Sequence, residues 1–196
     1  MRVAITGGIA CGKSLFSHYL GQLGVDILDA DDVVHRLEEP RGAAVDAIIG
    51  VFGESVLRPD GGIDRRALGT LVFEDDTARS RLNGIVHPLV KQVLMAWLAE
   101  PDRRIKAAVI PLLFEVGWDA EWDVIICLVS SETVQLDRLI RVRGLSENEA
   151  RRRIAAQMPV AEKAARSHYV VNNDADAAAL AQEAARVYRF LNERFE

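Results

Sequence analysis

The 196-residue chain has only two cysteines, Cys11 and Cys127, far apart in sequence. So few isolated thiols imply neither a disulfide framework nor a zinc site, and a reducing cytoplasm is the default setting. No apolar run approaches the roughly 18 residues that a membrane-spanning helix needs. The apolar stretch Met1–Ile5 gives way at once to Gly7 and Gly8, with Lys13 soon after. That reads as a strand entering a loop and not as a signal peptide. Positive charge is in deficit, with 24 Lys and Arg against 29 Asp and Glu for a net charge of −5. This excludes a surface broadly attractive to nucleic acid or an anionic membrane, while a local basic patch could still hold an anionic metabolite. Internal repeats and low-complexity tracts are missing as well. A hydrophobic fraction of 49% excludes disorder and supplies the core of one α/β domain with modest insertions. Oligomeric state is open between a monomer and a small homo-oligomer.

Short Val- and Ile-rich runs alternate with helical patterns, as in βαβ units around a parallel sheet. The predicted strands are Arg2–Thr6, Asp26–Asp29, Lys106–Leu113, Asp123–Val129 and Tyr169–Asn172. Their nearly continuous apolar character is that of strands buried on both faces. A helix is expected from Gly12–Lys13 to about Gly24. A terminal one follows from the spacing of Leu180, Ala184, Val187, Tyr188, Leu191 and Phe195. Two stretches interrupt the alternation. Val33 to about Trp97 reads as a helical insertion, with Pro88 expected to start or kink a helix. Arg138–Arg166 is rich in arginine, and within it Ser146 and Glu149 form a capping-box pair that opens a helix ending before Pro159.

Gly7-Gly8-Ile9-Ala10-Cys11-Gly12-Lys13-Ser14 satisfies G-x-x-x-x-G-K-[ST] directly after a strand and before a helix. Glycines let successive backbone N–H groups turn toward phosphate oxygens, and the helix N-terminus adds roughly half a positive charge. Lys13 is expected on the β- and γ-phosphates of ATP, and the Ser14 hydroxyl on Mg²⁺. A guanine-reading N-K-x-D is absent after the fourth strand, where Val129-Ser130-Ser131-Glu132 stands, which counts against a GTPase. The cluster Asp29-Ala30-Asp31-Asp32 ends strand two, on the edge where parallel sheets carry ligands. One carboxylate there could accept a hydroxyl proton or help hold Mg²⁺. Equally, Asp31 or Asp32 could cap the next helix. Arg138, Arg141, Arg143, Arg151, Arg152 and Arg153 could line a basic lid that excludes water from a transferring phosphate, or could form a solvated helix face.

A resemblance joins these pieces. Thr6-Gly7-Gly8-Ile9, Asp29-Ala30-Asp31, Asp64-Arg65-Arg66-Ala67-Leu68, His87-Pro88-Leu89 and Pro111-Leu112-Leu113-Phe114-Glu115 are similar to segments of dephospho-CoA kinases. So are Arg153-Ile154-Ala155-Ala156-Gln157, Glu162-Lys163 and the strand around Asn173, in the same order along nearly the whole chain. The resemblance implies a P-loop nucleoside/nucleotide-kinase-like three-layer core with a five-stranded parallel sheet, formed by residues 1–32, 100–140 and 166–196. A helical CoA-binding domain would span 33–99 and a lid 141–165. It also implies transfer from ATP, with Mg²⁺, to the ribose 3′-hydroxyl of dephospho-CoA.

By the same resemblance, Asp31 is the general base and Lys13 the phosphate ligand. Arg138 and Arg143 match lid arginines. Gly8, Ala10, Cys11, Gly12, Lys13, Ser14 and Leu15 form the nucleotide loop, with Asn173 on the adenine side. Thr6, Asp31, Arg65, His87 and Glu115 serve the acceptor. Leu15 stands where threonine is usual and Cys11 where a smaller residue is. Ser167-His168 replaces a usual Ala-Asp and Ala175 a usual glycine, departures expected near the adenine. Kinases of other small hydroxyl acceptors (nucleosides, sugars) and a nucleotide-binding sensor without transfer are the rival readings.

Overall fold

A computed structural model describes residues 1–73, 75–101 and 104–195, with residue 195 described by its backbone alone. Contacts divide the chain into two compact units, Met1–Leu28 with Pro101–Glu196, and Asp29–Glu100.

The first unit contains β1 (Arg2–Gly7), α1 (Lys13–Gln22), β3 (Lys106–Val109), β4 (Val124–Val129), α6 (Glu132–Arg141), α7 (Glu147–Ala155), α8 (Val160–Ala165), β5 (Tyr169–Asn172) and α9 (Ala177–Phe195), and β2 (Asp26–Asp29) runs to its boundary. The sheet order is β2-β3-β1-β4-β5, and β1 pairs in parallel with both β3 and β4, as β4 does with β5. Alternation divides the strand residues between two faces. Val3, Ile5, Val109, Ile126 and Leu128 pack with Phe16 and Leu20 of α1 and with Leu180, Val187 and Leu191 of α9. Each large apolar side chain buried there contributes roughly 1.5–3 kcal/mol. The opposite face, to which Ala4 and Thr6 point, is covered by α8. The result is a five-stranded parallel sheet between helical layers.

The second unit is helical: α2 (Ala30–Glu38), α3 (Val45–Phe52), α4 (Arg65–Phe73) and α5 (Asp76–Ala99). The long α5 packs against the other three and buries Val86, Val90 and Leu94. Asp75 caps it by accepting from the N–H groups of Thr77 and Ala78. Pro88 therefore does not start this helix. It lies well inside it, where it removes the N–H that would bond to the carbonyl of Gly84 and crowds that carbonyl.

The observed strands follow the expected ones closely, with one shortening. β3 stops at Val109 instead of running to Leu113. Ile110 still donates to the Ile5 carbonyl, but Pro111 has no N–H to offer, and the chain turns with Leu113 N–H on the Ile110 carbonyl. Ser146 caps α7 by accepting from Glu149 N–H, as its spacing predicted. The side chain of Phe195 lies outside the described residues. Among those residues, no helix is long and apolar enough to cross a membrane.

Candidate active site

The loop after β1 takes its shape from backbone that most residues resist. Gly7, Ala10 and Gly12 have φ of 140°, 58° and 86°. A Cβ on Gly7 would collide with the Leu128 carbonyl, and one on Gly12 with the side-chain amide of Asn173. Lys13 opens α1, and its Nζ donates to the carbonyls of Gly7 (3.1 Å) and Gly8 (2.9 Å), so the ammonium is already folded back over the loop. Ser14 and Leu15 are exposed on the first turn of α1, while Cys11 is fully buried. Burial pushes the Cys11 thiol above its ordinary range, and that of Cys127 up to about 11. Both are free thiols that behave as small core residues, not nucleophiles.

Arg138 and Asn173 fasten this loop, braced by Ser130. Arg138, on α6, donates from Nη1 to the Ala10 carbonyl (3.1 Å) and Ser130 Oγ (3.1 Å), and from Nη2 to the Asn173 carbonyl (2.8 Å). Ser130 Oγ donates to the same Asn173 carbonyl (2.9 Å), and Asn173 Nδ2 donates to the Cys11 carbonyl (3.0 Å). Arg138 and Asn173, expected on the nucleotide itself, thus spend these donors on the loop that would hold it. Beside Gly8 and Ile9 lies a cleft of about 560 Å³, walled also by Ile154, Gln157, Met158 and Val160. Gln157 Oε1 is buried there without a hydrogen-bond partner among the described residues.

On the acceptor side of the sequence reading, Glu115 Oε1 forms an ion pair with Lys163 Nζ (2.7 Å) and accepts from Met158 N–H (3.1 Å). Thr6 is fully buried and its hydroxyl donates to the Pro111 carbonyl (3.3 Å), so it supports this segment from beneath instead of lining an open surface. Arg143 is exposed in the turn between α6 and α7 and makes no ion pair among the described residues. Arg141, Arg151 and Arg153 are instead taken up by Asp137, Glu147 and Glu149, the ordinary helix-surface pairing.

Within the helical unit, Asp29 is the cap of α2, accepting from Asp31 N–H at 2.8 Å. The capping duty that could have accounted for Asp31 or Asp32 belongs to Asp29, and Asp31 is exposed in the first helical turn. The strand ends at Asp29, so Asp29 and Asp31 share no strand face, whereas Asp31 and His35 lie one helical turn apart. Arg65 Nε stands 2.9 Å from Glu38 Oε2, close but out of line for a hydrogen bond, so the pairing is ionic. Burial raises the Glu38 carboxyl above its usual range, with Arg65 and then His35 drawing it back. His87 is half-buried inside α5, and burial lowers its pKa, which favours the neutral ring.

The profile of the dephospho-CoA kinase family matches residues 1–179. The chain belongs to the dephospho-CoA kinase family. A dephospho-CoA kinase of Anaeromyxobacter dehalogenans is 43% identical over 188 residues, covering 94% of this chain and 89% of the relative. One from Shouchella clausii is 40% identical, covering 89% and 90%. Among solved structures, the dephospho-CoA kinase of Campylobacter jejuni superposes with a TM-score of 0.73 at 25% identity, over 100% of this chain and 98% of that one. A shikimate kinase of Acinetobacter baumannii, at 14% identity, 98% and 93% coverage and a TM-score of 0.54, shares the fold. The chain is accordingly a kinase with a P-loop kinase-like fold, and the loop at Gly7–Ser14 carries the glycine pattern of a phosphate loop.

Membership makes the family departures worth locating. His168 stands at the entrance of β5, the opposite end of the strand from Asn173. Its Nδ1 accepts from Ile125 N–H (2.9 Å), the task a carboxylate could perform at that point. Lys163 belongs to the Glu162-Lys163 segment of the family resemblance, and the sequence gives it no role. It is in fact fully buried.

The loop's tolerance can be measured at Gly12. Gly12→Ala should lower unfolding free energy by about 1–2 kcal/mol, the cost of a left-handed non-glycine residue, with the Asn173 clash in addition. Urea titration checks it, and unchanged stability would contradict the packing described.

Proposed function

We propose that the chain transfers the γ-phosphoryl group of ATP to the ribose 3′-hydroxyl of dephospho-CoA, giving coenzyme A in the last step of its synthesis. The observation that carries this reading is the family match through residue 179 with the phosphate loop intact. In that reading the loop amides and the start of α1 receive the phosphates. Lys13 moves its ammonium from the Gly7 and Gly8 carbonyls to the β- and γ-oxygens. Asp31 accepts the hydroxyl proton, and Glu115, Arg65 and His87 bind the acceptor. Positioning and charge neutralisation carry most of the catalysis, since phosphoryl transfer asks for little covalent chemistry from the protein.

Among the described residues no cluster of three or more His, Cys, Asp or Glu could cage a metal ion. An exposed Ser14 hydroxyl at the loop's end fits Mg²⁺ bound mainly through nucleotide phosphates and water, which is how this ion is usually held in kinases. When bound, the ion neutralises charge on the phosphates. We place the reaction in the cytoplasm, in keeping with two buried free thiols.

Arg143 is proposed to meet the transferring phosphate. Arg143→Ala should lower kcat about a hundredfold or more while ATP affinity without acceptor stays nearly constant. Nucleotide titration and single-turnover rates separate the two, and a loss confined to ATP binding would contradict the role. The reaction itself is tested by incubating the protein with ATP-Mg²⁺ and dephospho-CoA and weighing the product by mass spectrometry, with adenosine and gluconate as alternative acceptors. Coenzyme A formed selectively is the expected result. Phosphorylation of a control acceptor instead, or ATP binding with no transfer, would replace this reading by one of its rivals.

A further inference from the structure

We infer that Lys163 is a positioning residue for the acceptor, acting through Glu115; the inference rests on the reaction proposed above. Lysine is almost never fully buried unless paired, because stripping water from an ammonium costs several kcal/mol. Here the side chain is 0% exposed. Its Nζ is committed in two directions, to Glu115 Oε1 at 2.7 Å and to the Pro111 carbonyl at 2.8 Å. The Pro111 carbonyl also takes the Thr6 hydroxyl, and Glu115 Oε1 also takes Met158 N–H. One ammonium therefore ties together the turn after β3, the end of β1 and the turn that walls the cleft beside Gly8 and Ile9.

The arrangement answers an electrostatic problem. ATP and dephospho-CoA are both polyanions, and a lone carboxylate among them would repel its own substrates. Lys163 supplies the compensating charge from the buried side. Glu115 remains partly exposed at 22%, and both of its contacts fall on Oε1. Oε2, which takes no hydrogen bond from the described residues, can then accept from a hydroxyl or N–H of the acceptor without presenting net negative charge. The positively charged partner need not touch the substrate to set the geometry of the group that does.

The test is steady-state kinetics with dephospho-CoA and ATP varied separately, on wild type, Lys163→Met, Glu115→Gln and the double variant. Lys163→Met keeps the length and removes the charge. It should raise KM for dephospho-CoA about tenfold to a hundredfold, the size of a lost hydrogen bond to a charged group, and leave KM for ATP nearly unchanged. The double variant should be no worse than Lys163→Met, since the pair acts as a unit. Equal rises in both KM values, an unchanged KM for dephospho-CoA, or additive losses would overturn the inference. If Lys163→Met fails to fold, Glu115→Gln retains the ammonium with a neutral partner and must show the same acceptor-selective rise; a normal acceptor KM in that variant overturns the inference. Wild-type protein that makes no coenzyme A would overturn the proposed function and this inference with it, whereas an active wild type with the wrong KM pattern sinks the inference alone.

Discussion

Lys13→Ala should fold normally and lose transfer by about 10³-fold or more, the order expected when a preorganised donor to developing charge is removed. The side chain is only partly buried, and the carbonyls of Gly7 and Gly8 are among its partners. The loop is fastened independently by Arg138 and Asn173, so its shape should survive the substitution. Stability and activity should therefore separate: a melting temperature close to wild type beside a collapsed kcat. An active Lys13→Ala protein would remove the loop from the chemistry altogether. A variant that unfolds would show instead that the ammonium is a structural clamp on Gly7 and Gly8.

Asp31→Asn is the second large effect, about 10²–10⁴-fold in turnover if Asp31 takes the hydroxyl proton. What makes the experiment decisive is Asp29. Because Asp29 caps α2, Asp31→Asn leaves the cap in place and should change unfolding free energy by no more than about 0.5 kcal/mol. Asp29→Ala should do the reverse, costing about 0.5–2 kcal/mol of stability. Chemical denaturation and initial-rate assays on the two variants give opposite signatures if the duties are divided in this way. Near-normal turnover of Asp31→Asn would leave that carboxylate without a part in the reaction.

The phosphate loop and the strands were legible because their signals are local: a glycine pattern read against a strand before it and a helix after it, and unbroken Val and Ile runs. Asp31 was ambiguous because a carboxylate at a strand end has the same spelling whether it caps or catalyses. Only the observed hydrogen bond from Asp31 N–H to Asp29 assigns the cap. Arg138 looked like its neighbours in an arginine-rich stretch, since nothing in the sequence reveals that its guanidinium reaches a carbonyl 128 positions earlier. Lys163 failed to stand out for the same reason: burial of a charge is decided by tertiary packing, and helical spacing around Glu162-Lys163 has no mark for it. Pro88 misled in the other direction. Its cost to a helix is one hydrogen bond and a steric conflict, which the packing of Val86, Val90 and Leu94 against the rest of the helical unit outweighs.

The fastening of the phosphate loop also bears on when the site can exist. The carbonyl of Cys11 and the amide of Asn173 that holds it are separated by 162 positions, and β1 lies between two strands made long after it. A growing chain that has emerged only through α6 carries the complete glycine motif and Arg138 but lacks Asn173. It therefore has neither the amide under Cys11 nor the carbonyl that orients Arg138. Contacts of such sequence separation form late, after the loop-closure entropy between them has been overcome. The glycine loop would thus become a nucleotide site only after the segment around Asn173, 162 positions downstream of Cys11, has docked. ATP binding would report a finished fold, and unfinished chains would not sequester the nucleotide.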